Sequence, residues 1–307
     1  MPDWAILAGL TGVLAPDSGL SAAGLLMLAC GAALAGGVDA VIGGGGLILI
    51  PLILALAPGL PAQVSLGTNK FTAVFGTASA GMRMARTVPV DWRTVRTAAP
   101  LAGLCSAGGA LLATAVSSDV LRPVVVVLML AVGVFVALRP RFGRSDGDSA
   151  TVNTDATAAA DVSVATVPAP PAPPAPPAPP APPAPPGRGR ILLAVALIAF
   201  IGFYDGFFGP GTGMFLVIVF TAVLSRSLLH SLAMTKLVNT ATNIGGLVVF
   251  AAGGHVLWLL GLILAVFNVL GAQVGAKLVL DRGTGFVRIA LLVLIVVMSV
   301  KLITDMV

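Results

Sequence analysis

The chain has 307 residues, of which 57% are hydrophobic and only 9% charged, with a formal net charge of +5. Soluble domains carry about 25% charged residues, so this balance excludes an ordinary soluble globular domain and indicates an integral membrane protein. Most arginines sit in short segments beside apolar runs, where they report membrane orientation rather than a nucleic-acid-binding patch.

Residues 1–20 have no basic run ahead of their apolar stretch, so no cleaved secretory signal is expected. Across residues 21–138, apolar runs separated by breakers predict helical segments at 20–35, 47–57, 66–84, 95–115 and 121–138. Residues 139–190 then change character. A stretch rich in Ser, Thr, Asp and Ala leads into a Pro-Pro-Ala repeat ending at Pro186, a composition that predicts a disordered Ala/Pro-rich linker with a polyproline II spacer of about 60 Å. Residues 191–307 predict the first order again, at 191–201, 214–224, 232–250, 257–280 and 286–303. These runs are apolar all round rather than alternating, which favours helices over a membrane barrel. Cys30 and Cys105 lie in such runs without a neighbouring His or Cys, so they are expected simply to pack, with no metal site and no cofactor.

The two halves share more than an order of segments. Gly36, Asp39, Gly43, Gly45, Ser65, Lys70, Trp92, Gly109 and Arg122 are followed, each 166 residues later, by Gly202, Asp205, Gly209, Gly211, Ser231, Lys236, Trp258, Gly275 and Arg288. A constant offset over this length indicates a duplicated unit. Arg83, Arg86, Arg93 and Arg96 mark one loop of the first half as cytoplasmic, and Arg139, Arg141 and Arg144 place the linker on the same side. The matching loop of the second half, residues 251–256, carries no Lys or Arg, whereas its next turn carries Arg282 and Arg288. The reversed bias predicts an all-α polytopic membrane protein built from two inverted-topology repeats of four to five segments each. Parallel repeats are the alternative.

Chemistry is expected where apolar runs are interrupted. Gly43, Gly44 and Gly45 follow Asp39, and Gly209 and Gly211 follow Asp205 around Pro210. Each cluster is expected to break a helix, leaving peptide groups that the bilayer interior tolerates only when they are buried in protein or line a polar cavity. The helices that follow, from Leu47 and from Met214, would turn positive dipole ends toward an anion. Close packing through small residues is the bland reading of the same glycines. Lys70 follows Thr68 and Asn69, and Lys236 follows Thr235; a lysine inside a span costs about 2.5–3.5 kcal/mol and calls for a partner. That partner is either an aspartate or an anionic substrate, unless the side chain snorkels to the interface. Thr235, Asn239 and Asn243 fall on one helix face. Asp39 and Asp205 could relay protons or brace the breaks.

The segment Gly37-Val-Asp-Ala-Val-Ile-Gly-Gly-Gly-Gly-Leu47, then Gly67-Thr-Asn-Lys70, resembles the sulfite exporter TauE/SafE family. So does Gly202-Phe-Tyr-Asp-Gly-Phe-Phe-Gly-Pro-Gly-Thr-Gly213 with Thr235, Lys236 and Asn239. The resemblance spans both halves and omits the linker. It implies a multi-pass transporter of the bacterial inner membrane, not an enzyme, with a small inorganic or organosulfur anion such as sulfite, thiosulfate or an organosulfonate as its partner. Oligomeric state, direction and coupling ion stay open. An anion channel is a second reading, and an intramembrane aspartyl protease using Asp39 and Asp205 is a third.

Overall fold

The computed structural model describes residues 11–138 and 187–282, which belong to a single structural unit formed by both halves. The segment expected at 286–303 and residues 139–186 of the expected linker lie outside these, whereas Arg188–Arg190, expected to close the linker, are helical. Among the described residues every regular element longer than four residues is helical. The first half gives α1 (Ala22–Ile42), α2 (Gly46–Leu56), α3 (Ala62–Thr87), α4 (Trp92–Ala115) and α5 (Ser118–Leu138). The second gives α6 (Arg188–Phe207), α7 (Thr212–Ile218) running into a π turn (Val219–Val223), α8 (Leu228–Ala252) and α9 (Trp258–Arg282).

Local chemistry sets several boundaries. Ser21 caps α1 by accepting from the Gly24 N–H at 3.0 Å. Asp91 caps α4, accepting from the Thr94 N–H at 3.2 Å and the Thr94 hydroxyl at 2.8 Å. Arg122, near the start of α5, donates to the carbonyls of Pro58 and Leu60 at 2.9 and 2.8 Å, closing the turn between α2 and α3. Its repeat partner Arg288 is outside the described residues.

Helices α1 and α6 run furthest past the C-terminal ends that their apolar runs predict. The segments expected to end at residues 35 and 201 continue to Ile42 and Phe207, so Asp39 and Asp205 ride on helices. The intervening glycines serve close approach. A Cβ at Gly36 would lie 2.0 Å from the Asn268 carbonyl oxygen, and one at Gly202 would lie 2.6 Å from that of Ala102. Neighbouring helices packed this tightly outweigh the roughly 1 kcal/mol by which glycine weakens a helix.

The same contacts recur with the halves exchanged. Helix α1 packs on α9 and α6 packs on α4; α3 packs on α9 and α8 on α4; α3 and α8 pack on each other. Ala32, Ile53 and Leu264 fill one apolar cluster, and their counterparts Ile198, Val219 and Ala98 fill another.

Helices α1, α4, α6 and α9 are, among the described residues, the four long and apolar enough to cross a membrane. Helices α3 and α8 are longer than most but richer in small and polar residues. They pack against helices on several sides, so less of their surface has to suit lipid. Cys30 departs from the expectation that it packs: it is exposed on α1, while Cys105 is half-buried. In a chain surrounded by lipid an outward-facing thiol carries little penalty, since outside and inside are both apolar.

Candidate functional site

Helix α1 ends at Gly43, whose φ of 84° is a left-handed conformation and whose N–H donates to the Asp39 carbonyl at 2.8 Å. The chain resumes as α2 at Gly46. In the second half α6 ends at Phe207, and Gly209 and Gly211 both adopt positive φ before α7 begins at Thr212. These interruptions meet in space. A Cβ on Gly43 would fall 2.3 Å from the Gly213 Cα, and one on Gly213 would fall 2.4 Å from the Gly43 Cα. Only glycine permits so close a backbone crossing.

Lys70 and Lys236 occupy matching places in the third turns of α3 and α8, and each reaches across to the other half. Lys70 Nζ is ion-paired with Asp205 Oδ2, with side-chain exposures of 3% and 2%. Lys236 Nζ donates to the Asp39 carbonyl and lies 3.2 Å from Asp39 Oδ2. The Lys236 side chain is fully buried, while that of Asp39 keeps 15% exposure. Burial in low dielectric makes either charge untenable alone, so each lysine depends on a carboxylate contributed by the opposite repeat.

Further polar groups brace these pairs. The Gly45 N–H donates to Asp39 Oδ1 at 3.2 Å. Ser106 Oγ donates to the Thr242 carbonyl at 2.7 Å and sits 3.3 Å from Asp205 Oδ2. Lys70 Nζ lies 3.3 Å from the place a Gly209 Cβ would take, which sets the ammonium against the second interruption.

Several polar side chains around the pairs have no partner. Asn69 and Asn243 make no side-chain hydrogen bond among the described residues, and they keep exposures of 7% and 4%. The Thr235 hydroxyl is buried without a partner as well, as are, elsewhere, the hydroxyls of Ser65 and Ser231 and the His255 Nδ1. Buried polar groups are normally paired, and Asn69 and Thr235, each next in sequence to a paired lysine, and Asn243, two turns beyond Lys236 on the same face, are not. Among the described residues no group of His, Cys, Asp or Glu could hold a metal ion.

Comparison with known proteins finds relatives over most of the chain. The profile of the family described as sulfite exporter TauE/SafE matches residues 28–302, which include both interruptions and both lysines. The chain belongs to the TauE/SafE family. The probable membrane transporter protein YfcA of Escherichia coli K12 is 33% identical over 89% of this chain and 87% of its own length. The probable membrane transporter protein ORF9 of a Sinorhizobium species is 31% identical over 92% of this chain and 93% of its own. A probable membrane transporter protein of Haemophilus influenzae is 28% identical, over 92% and 95%. No solved structure matches the chain. With these relatives and its apolar helices, this TauE/SafE protein is a multi-pass membrane transporter.

Within this TauE/SafE protein, the residues singled out from sequence do not all sit alike. Gly43, Gly44, Gly45 and Gly211 are buried at the interruptions, and Gly209 is half-buried. Asn239 accepts from the Thr242 hydroxyl at 3.1 Å. Thr68 lies elsewhere: its hydroxyl accepts from the Leu257 N–H at 3.1 Å, and two residues of helix, about 200°, separate it from Lys70. Ser106 of α4 was not anticipated. Its repeat position is Ala272, so the duplication carries no signal for it. Tyr204 was also missed as a brace; its hydroxyl donates to the Pro210 carbonyl at 2.8 Å.

Proposed function

We propose that the chain is a secondary transporter that moves small sulfur-containing anions, such as sulfite, thiosulfate or organosulfonates, across the bacterial inner membrane. The observation that carries this reading is the pair of crossed, buried lysine–aspartate contacts beside two glycine interruptions. Each lysine is a cation inside the bundle whose only charged partner, among the described residues, belongs to the other half. An anion that displaces a carboxylate from Lys70 or Lys236 would loosen a link between the halves, so binding is coupled to their relative motion. Asn69, Asn239, Asn243 and Thr235 supply hydrogen-bonding groups on the same two helices, and the amides of Gly43, Gly44, Gly45, Gly209 and Gly211 line the interruptions.

On this reading residues 21–138 and 191–307 are repeats of opposite topology, and residues 139–190 connect them in the cytoplasm. The reversed arginine bias supports the opposite topology, and the exchange of helix partners between halves supports their being repeats. Rocking of one repeat against the other would then expose the site alternately to the two sides. A protease reading gains nothing from the geometry, because each carboxylate is committed to a lysine rather than to the other carboxylate.

The test is flux of labelled sulfite in proteoliposomes containing wild-type protein or Lys236→Ala. Saturable flux that the substitution abolishes supports the reading. Unchanged flux removes the lysine from the mechanism, and flux that rises without saturation makes the protein a pore.

A further inference from the structure

A second concave feature, lined by neither lysine nor aspartate of the two pairs, lies between the N-terminal halves of α4 and α6. It is a groove of about 600 Å³. Its two ends differ in chemistry. Asp91, Arg93, Thr94, Thr97 and Arg226 are gathered at the helix starts, whereas Leu101, Val195 and Ile198 lie deeper along the helices. Ile191 and Leu224 complete the apolar wall.

The charges at the mouth do not cancel. Arg226 is held by Asp91, the one carboxylate of the groove. Arg190, which precedes the wall residue Ile191, donates to the Ala222 carbonyl at 3.1 Å and the Ser225 hydroxyl at 2.8 Å, next to Leu224 and Arg226. Arg93 is exposed, and its guanidinium has no hydrogen-bond or ion-pair partner among the described residues. Of the two guanidinium groups that line the groove, Arg226 is matched by Asp91 and Arg93 is not, which leaves one unmatched positive charge at the mouth. Trp92, 49% exposed at the start of α4, suits the membrane interface and sets the level of this mouth.

Dimensions agree with a lipid. From Arg93 to Leu101, and from Arg190 to Ile198, each helix advances about 12 Å, most of the roughly 15 Å thickness of one hydrocarbon leaflet. We propose that this groove is a binding site for one anionic phospholipid of the surrounding leaflet. The phosphate headgroup pairs with Arg93 and Arg226, and an acyl chain lies along Leu101, Val195 and Ile198. A zwitterionic lipid fits less well because its ammonium adds positive charge to a mouth that is already cationic.

The experiment uses the full chain in neutral detergent, with dioleoyl phosphatidylglycerol and dioleoyl phosphatidylcholine titrated separately and adducts counted by native mass spectrometry. Phosphatidylglycerol should bind about tenfold more tightly, and Arg93→Gln should weaken it about fivefold. Arg86→Gln, an exposed arginine near the same end but outside the groove, should leave binding unchanged. Val195→Trp, which fills the apolar part while keeping every charge, should remove the preference. Equal binding of the two lipids overturns the proposal. So does equal weakening by Arg86→Gln, which would mark diffuse surface attraction, or full competition by glycerol phosphate, which would mark an anion site without a role for the acyl chain.

Discussion

Lys70 finds its carboxylate on Asp205, 135 residues away in the other half of the chain, and not on the aspartate of its own repeat. Lys236 repeats the choice with Asp39. The two halves are therefore joined at their centre by charge as well as by packing, and whatever separates them has to deal with both ion pairs.

Removing one member of the first pair should cost far more than removing both. Asp205→Ala leaves a buried ammonium uncompensated and is expected to destabilise by about 3–5 kcal/mol, whereas Lys70→Met combined with Asp205→Leu should recover most of that loss. Thermal unfolding in detergent compares the three proteins. Equal destabilisation by the single and double variants would show that the pair contributes through shape alone.

The second pair should tolerate the analogous change better. Asp39 is partly exposed, and Lys236 also donates to its backbone carbonyl, a contact that Asp39→Asn keeps. Asp39→Asn is thus expected to lower the unfolding temperature less than Asp205→Asn does. The reverse order would mean that the exposure difference has no energetic weight.

The meeting of the two interruptions should depend on one glycine contact. Gly43→Ala forces a Cβ to within 2.3 Å of Gly213 and places alanine at a φ of 84°. Left-handed strain of about 1–2 kcal/mol and overpacking of about 1–3 kcal/mol add in the same direction. Gly46→Ala, whose nearest neighbour would be 3.4 Å away, should be nearly neutral. Unfolding temperatures of the two variants provide the comparison.

Polar residues near the lysines should separate into two classes. Asn69→Leu and Asn243→Leu break no hydrogen bond, so they should abolish anion flux with no loss of thermal stability. Thr68→Val strands the Leu257 N–H and should cost about 1–3 kcal/mol. Normal flux in both asparagine variants would contradict their place in the site.

One pH effect is expected outside the spans. Partial burial raises the Asp91 pKa, but hydrogen bonds from the Thr94 hydroxyl and amide, with the Arg226 guanidinium, outweigh it and hold the carboxyl below its ordinary value of 3.8. A depressed folded-state pKa contributes stability above the ordinary value, and that contribution is lost as pH falls through the folded-state value. Unfolding temperature followed from pH 6 to pH 3 should therefore drop less steeply in Asp91→Asn than in wild type.

Much of this was legible in the sequence because it rests on local or periodic properties. Apolar runs locate the helices, and the glycine clusters around Gly43 and Gly209 fall between them, as left-handed turns require. The ends of α1 and α6 were less legible. Gly36 and Gly202 read as breakers, yet each lies where a neighbouring backbone approaches, and no local property distinguishes that use. Thr68 and Asn69 both immediately precede Lys70 in the Thr-Asn-Lys run, but helical rotation sends Thr68 to the turn before α9.

Composition and the duplication by themselves determined a helical membrane protein of two related halves in which Lys70 and Lys236 either snorkel or need partners, because the cost of an ion in hydrocarbon does not depend on tertiary detail. Only the tertiary structure decided which partners they take. Lys70 could have met Asp39 or Asp205 as far as spacing is concerned. The two interruptions cross at Gly43 and Gly213, each aspartate meets the lysine of the opposite half, and short-range pairing in a low dielectric holds it there.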